Sequence, residues 1–350
     1  MQRINKTNDF FYMKGFTFYI MLSLFIVISA CTNNPKDIDV SEVKMQEITI
    51  NRLDQDIFNI DTANVLNDTK KLEKKYGKFY TTFIRGIINN GGIHDSSYSH
   101  QIKQFIKDAN MHDAFLDCQK LYSSTADFKF QFTDAFKHFK HYFPNRNLPK
   151  VITMMSGFNY SIVTLDSTLA IGLEMYLGSN SKFYKMMALP RYKSNFMNKE
   201  NIMPDAIRFW MMNEFKYNMN KNDFLSDMIY MGKIMYLVDA VIPNVADTLM
   251  MQYSNKQMDY CKKNEFNVWS YFAAQKLLYT TDRAEIMKFT SEGPFTTALS
   301  KESAPRIGYW VGWQIVNQYM SKNEDITLEQ LMNETDAQKI LNKAKYKPGK

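Results

Sequence analysis

Hydrophobic and polar positions recur with different periods along the chain, and the changes of period divide it into stretches. Gly15 to Ala30 is an uncharged, predominantly apolar run that includes Phe18, Ile20, Leu22, Leu24, Phe25, Ile26, Val27 and Ile28. After a polar interval, Glu47-Ile48-Thr49-Ile50-Asn51-Arg52-Leu53 alternates polar and apolar residues, the period of a strand. Helical periodicity takes over from Leu66 to Tyr80 and from Thr81 to Ile88, until Asn89-Asn90-Gly91-Gly92 breaks the chain. Two amphipathic helices are predicted next, over 98–121 and 127–142, the second stopped by Phe143-Pro144.

Beyond Pro149 the pattern shortens. Val151 to Met155, Ile162 to Leu165 and Leu169 to Leu173 are brief apolar runs separated by Gly157, Asn159, Asp166 and Ser167, which predicts adjacent strands joined by tight turns. Helices return over 204–219, 223–242, 256–279 and 305–321, with Asp223 as an N-cap and Pro243 as a stop. The segment 223–242 is long enough to span a bilayer, but Asp227, Lys233 and Asp239 interrupt it, so it is expected to be a buried core helix. These elements predict an α+β fold, mostly helical with a small, mainly antiparallel central sheet, in a single globular domain over 46–347.

The first 45 residues read differently. Arg3, Lys6 and Lys14 precede the apolar run, which is shorter than the roughly 18–20 residues that cross a bilayer core. Residues 1–30 therefore read as a cleaved signal peptide. Its end, Ile28-Ser29-Ala30-Cys31, resembles the bacterial lipobox, which makes Cys31 the lipidation site. Two or three acyl chains anchor a protein durably where one does not. Thr32 follows the cysteine in place of the Asp that retains lipoproteins in the inner membrane, so an outer-membrane, periplasm-facing location is expected. Residues 31–45, polar and with Pro35, read as a flexible tether.

Charge changes the picture little. The chain carries a net +7, with Lys and Glu dispersed and no basic block interleaved with aromatics, so nucleic acid is not an expected partner. Besides Cys31 only Cys118 and Cys261 occur; buried free thiols are the favoured reading, with a single disulfide as the alternative.

No catalytic constellation stands out. All five histidines, His94, His100, His112, His138 and His141, precede residue 142. The His138/His141 pair has the spacing to share a metal but no Cys, Asp or Glu companions, so no metal and no cofactor is expected. Glu174 and Glu214 sit among apolar residues that would raise a carboxyl pKa, which makes them the candidates for general acid or base work. Gly308 and Gly312, at i and i+4 beside Trp310 and Trp313, let another element approach the last long helix closely, as an interaction face or an internal packing seam. The 24 methionines read as adaptable core filler.

Three segments, Phe136 to Pro144, Pro149 to Asn159 and Ile171 to Gly178, resemble the gliding-motility lipoprotein family GldB of the Bacteroidetes. Ile229 to Tyr236, Val268 to Phe272 and Pro305 to Val316 continue the resemblance in order, over nearly all of the chain after residue 31. The resemblance implies a palmitate-bearing envelope lipoprotein that works non-enzymatically with other envelope proteins, in gliding motility or the associated secretion machinery. That family in turn resembles zinc peptidases with an H-E-x-x-H helix and a later E-G that supplies the third ligand; the ligand and general-base positions fall here on Arg208, Phe209, Met212 and Met231. None can bind zinc or serve as the base, which implies a degenerate zincin-like scaffold, a pseudo-peptidase. A hydrolase or a peptide-binding module on that scaffold is the alternative. Asp61-Thr62-Ala63 and Asp247-Thr248-Leu249 resemble O-glycosylation sites of the same phylum.

Overall fold

The computed structural model describes Lys36 and residues 38–349; the signal segment, Cys31 and the start of the tether lie outside the described residues. Strand β1 (Ile50–Arg52) leads directly into helix α1 (Leu53–Phe58). The helices α2 (Val65–Tyr76) and α3 (Lys78–Thr82) follow, the latter running on into a π-turn at Phe83–Ile87. Gly77, at φ 58°, separates α2 from α3, a conformation that glycine adopts without a Cβ penalty. The single helix expected over 98–121 is two, α4 (Tyr98–Lys107) and α5 (Ala109–Leu121). Asp108 breaks it by leaving the helical region and accepting from the backbone N–H of Met111, an N-cap that restarts the helix. Helix α6 (Ala126–Tyr142) ends before Pro144 as its pattern requires.

The sheet comprises β1, β2 (Lys150–Met154), β3 (Ile162–Leu165) and β4 (Thr168–Gly172), in the order β1-β2-β4-β3. It is mixed, which corrects the expectation of a mainly antiparallel sheet. Only the β3–β4 hairpin is antiparallel; β1 pairs with β2, and β2 with β4, in parallel. The reason is non-local. The segment between β2 and β3 carries the chain past the place beside β2, which β4 then fills, and the helices α1 to α6 form the crossover that parallel β1 and β2 need. Both sheet faces are covered. Val151, Leu169 and Ile171 face the larger core, whereas Ile152, Met154 and Ala170 join the smaller one built by α1 to α4, which is why these strands read as continuous apolar runs.

The C-terminal half is helical: α7 (Lys182–Met186), α8 (Arg191–Ser194), α9 (Ile202–Glu214), α10 (Phe224–Val241), α11 (Asp247–Met251), α12 (Asn255–Ala274), α13 (Arg283–Thr290), α14 (Ile307–Lys322), α15 (Leu328–Asn333) and α16 (Ala337–Ala344). Asp223 caps α10 through the N–H of Ser226. Helix α10 is buried nearly all round, and Lys233 at its middle turns its ammonium to the carbonyls of Met332 and Glu334, at 3.1 and 2.8 Å. Among the described residues no helix is long and apolar enough to cross a membrane.

The tightest packing in the larger core is between α10 and α14. A Cβ placed on Gly232 would lie 2.3 Å from the carbonyl oxygen of Gly312, and one placed on Gly312 would lie 1.9 Å from that of Met228. Gly308 faces the Phe224 ring instead, and Trp310 and Trp313 are buried at 2% and 4% exposure. The four residues picked out on this helix thus lie inside the protein, the two glycines against α10. Cys118 and Cys261 are both free and buried, and burial pushes both thiols up, Cys261 to about 12.

Candidate functional site

Helix α9 begins with Pro204 near its start, where a missing N–H costs nothing, and turns Ile202, Ala206, Ile207 and Met211 into the core. Two charges interrupt this apolar face at i and i+3, Asp205 and Arg208, both buried. A buried charge needs a partner. Arg208 Nη2 donates to Asp205 Oδ1 at 2.8 Å, and Gln252 Nε2 donates to the same oxygen at 2.7 Å. The hydroxyl of Tyr176, from the 3-10 turn that follows β4, donates to Asp205 Oδ2 at 3.0 Å. Burial pushes the Asp205 carboxyl up, against the pull of Arg208 and the hydrogen bond from Tyr176.

The second guanidinium comes from Arg306, just ahead of α14. Its Nη2 donates to the carbonyl of Met251 at 2.7 Å, as Arg208 Nη1 does to that of Met250 at 3.2 Å. The two arginines thereby satisfy carbonyls at the C-terminal end of α11 that the helix leaves without partners. Arg306 Nη1 lies 3.2 Å from Glu292 Oε1, whose side chain is 58% exposed, and Arg306 Nε is buried without an acceptor. Arg306 and Gln252 hold left-handed backbone conformations, at φ 52° and 53°, uncommon for residues with a Cβ. Tyr253 fixes the chain before Arg306 by donating to the carbonyl of Pro305 at 2.7 Å.

These groups line a cavity of about 370 Å³. Met175, Phe196, Met197 and Phe209 supply apolar wall, and Tyr192, Lys193 and Asn195 add a partly exposed side. Apolar walls with a few convergent polar groups are the usual composition of a ligand site.

The sequence candidates are dispersed relative to this cavity. Glu174 is fully buried, and it does not line the cavity although it shares the turn of Tyr176. Its Oε1 accepts from Ser156 N, Ser156 Oγ and Phe158 N at 2.6, 2.5 and 3.1 Å, which ties down the segment between β2 and β3; burial pushes its carboxyl up. Glu214 ends α9 in an ion pair with Arg146 at 2.7 Å, and the guanidinium lies over the Phe215 ring. His138 is buried with Nδ1 3.0 Å from the Asp134 carbonyl oxygen, and His141 is exposed on the helix end. Among the described residues no three His, Cys, Asp or Glu are grouped to hold a metal. Of the four positions aligned with the peptidase motif, Arg208 and Phe209 line the cavity, while Met212 and Met231 pack against the core. Thr62 lies in the turn before α2 and Thr248 in α11, both half-buried.

Sequence reasoning reaches Arg208 but misses Asp205, Tyr176, Gln252, Glu292 and Arg306. One local signal points to the site, an Asp and an Arg at helical spacing in an otherwise apolar helix, a pair that needs a common environment. Neither a curated protein nor a solved structure matches the chain. The family model described as gliding motility protein GldB matches residues 33–348, and the chain belongs to the GldB family.

Proposed function

We propose that this chain is a lipid-anchored envelope protein that serves gliding motility by binding rather than by catalysis. Membership of the family carries involvement in gliding motility. The lipid on Cys31, the outer-membrane location facing the periplasm and the envelope partners are the finer parts of the proposal, supported by the Ile28-Ser29-Ala30-Cys31 register.

The observation that carries the binding reading is how the cavity's buried charges are tied. Both Asp205 oxygens accept from protein donors, and both guanidinium groups hold backbone carbonyls. A general acid or base must exchange its proton with a substrate, whereas a carboxylate with three protein donors is a fixed part of the wall. The carboxylates proposed for chemistry lie away from the cavity, Glu174 held through one oxygen by Ser156 and Phe158 and Glu214 paired with Arg146. The cavity also coincides with Arg208 and Phe209, where the resemblance to zinc peptidases would place the first histidine and the general base. On this reading the zincin-like scaffold keeps its cleft, with a guanidinium in the place of a zinc ligand.

Complementation of a deletion strain tests this. Glu174→Gln and Glu214→Gln are expected to restore motility. A folded, correctly localised protein with either substitution and no motility would refute binding without catalysis.

A further inference from the structure

The charges of this cavity are not equally answered. Asp205 neutralises Arg208 within the wall, and with three donors on its carboxylate it offers a ligand little. Arg306 feels the Asp205 carboxylate without touching it, and makes its direct ion pair with Glu292, a side chain 58% exposed at the rim; an ion pair with so exposed a partner is weak in water. Lys193, also at the rim and exposed, has no acidic partner among the described residues. Two cationic groups thus line the same cavity, one of them paired with a loosely held carboxylate.

The backbone points the same way. Arg306 and Gln252, on separate segments, both hold left-handed conformations, and both place their side chains in the polar wall of one cavity. Strain of this kind persists where the surrounding structure imposes it, and it gathers at sites that must present a group in one orientation.

From this geometry we infer that the cavity binds a carboxylate of a peptide, with Glu292 as the internal carboxylate that the ligand displaces from Arg306. The chemistry of the occupant is set by what Arg306 already holds through Nη1, a side-chain carboxylate, while Nη2 stays on the Met251 carbonyl. Phe209, 38% exposed, together with Phe196 and Met175, provides the surface for an apolar side chain next to the carboxylate. A volume of about 370 Å³ takes one or two residues of an extended peptide. The carboxylate can be a free C-terminus or an Asp or Glu side chain. The inference rests on the binding function proposed above and adds its ligand.

The test is titration of the full chain, in detergent, with three short peptides of one apolar sequence: one with a free C-terminus, one amidated, and one amidated but with an internal Glu. At least one carboxylate-bearing peptide is expected to bind ten or more times tighter than the neutral one, and which one does so identifies the source. Glu292→Gln, a change at an exposed side chain, is expected to raise that affinity severalfold by freeing Arg306. Arg306→Gln is expected to abolish binding, and because Arg306 also holds Met251, Lys193→Gln serves as the variant that leaves the fold untouched and weakens binding. Equal binding of the neutral peptide, no gain in Glu292→Gln, or displacement of the peptide by an equal concentration of inorganic phosphate would each overturn the inference. Mass spectrometry of the recovered peptide separates the two proposals. Intact peptide agrees with both, whereas cleaved peptide refutes binding without catalysis and leaves carboxylate recognition standing.

Discussion

Replacing Gly312 by Ala pits two effects of opposite sign against each other. In a helix interior Ala is favoured over Gly by about 1 kcal/mol, so propensity alone predicts a more stable protein. The structure predicts the reverse. The new Cβ would lie 1.9 Å from the Met228 carbonyl oxygen and 2.5 Å from its carbon, where even a close carbon–oxygen contact needs roughly 3.3 Å. Both obstructing atoms are backbone, so no rotamer change relieves them, and α10 and α14 must part by more than 1 Å. Overpacking of a dense core costs about 1–3 kcal/mol and sometimes more. Separation also loosens neighbours along two long helices, so a net destabilisation of about 3 kcal/mol is expected after the propensity gain. Gly232→Ala, 2.3 Å from the Gly312 oxygen, should follow closely. Gly308→Ala meets the edge of the Phe224 ring at 2.9 Å and the Phe289 carbonyl oxygen at 3.1 Å, looser approaches than at Gly232 and Gly312, and should cost least. Because Gly232 and Gly312 lie at one helix crossing, the double variant should lose less than the sum of the singles. Urea unfolding, compared at unchanged slope, measures all four. Unchanged or increased stability in Gly312→Ala would refute the close approach of these helices.

Glu174→Gln, which keeps an acceptor for Ser156 and Phe158, should stay within about 1 kcal/mol of the parent at neutral pH, whereas Glu174→Ala should cost about 3 kcal/mol by stranding their buried donors. Burial raises the folded-state pKa of Glu174 above its usual 4.5, so the native protein holds a proton that the unfolded chain has lost; the parent should lose stability as pH rises from 4.5 to that higher value, and the Gln variant should lack this slope. Lys233 runs the other way: burial pushes its ammonium down to about 8, the unfolded chain keeps the proton up to 10.5, and stability therefore rises with pH between those values. Urea midpoints at pH 8 and pH 10 should show that rise, roughly 3 kcal/mol at most, in the parent and not in Lys233→Met. Cys31→Ala should abolish metabolic labelling by a fatty-acid analogue, and full labelling of that variant would end the lipoprotein assignment.

Local chemistry was legible in the sequence where one segment decides its own structure. The limits of β3, the span of α6 and the start of α10 at Asp223 all follow from nearby patterns. The break at Asp108 is also local, a capping residue three positions before the N–H it serves, but periodicity alone runs through it. Helix α15 has a local signature too, the capping box formed by Thr327 and Gln330, which a search for apolar period passes over. Strand direction was not legible, because β1 and β4 meet β2 only after long or looping connections. The site was legible in part. Arg208 and Asp205 sit one helical turn apart on the sequence, but Arg306, Gln252 and Glu292 arrive from three other segments, and left-handed backbone at Arg306 and Gln252 leaves no mark on residue type.

The parallel pairing of β1 with β2 bears on the order in which the chain can fold. Asn51 donates its side-chain amide to the carbonyl of Val151, 100 positions away, so the first strand has no partner until the second exists. A chain emerging N-terminus first can form the helices between them while β1 stays unpaired. Only when Lys150–Met154 arrives, followed by the β3–β4 hairpin, can the sheet close and both cores acquire their shared wall. Closing so long a loop is slow compared with forming local helices. The N-terminal helices should therefore pass through a partly assembled state with the sheet-facing side of the smaller core uncovered, and that state is the point at which a chaperone would be of most use.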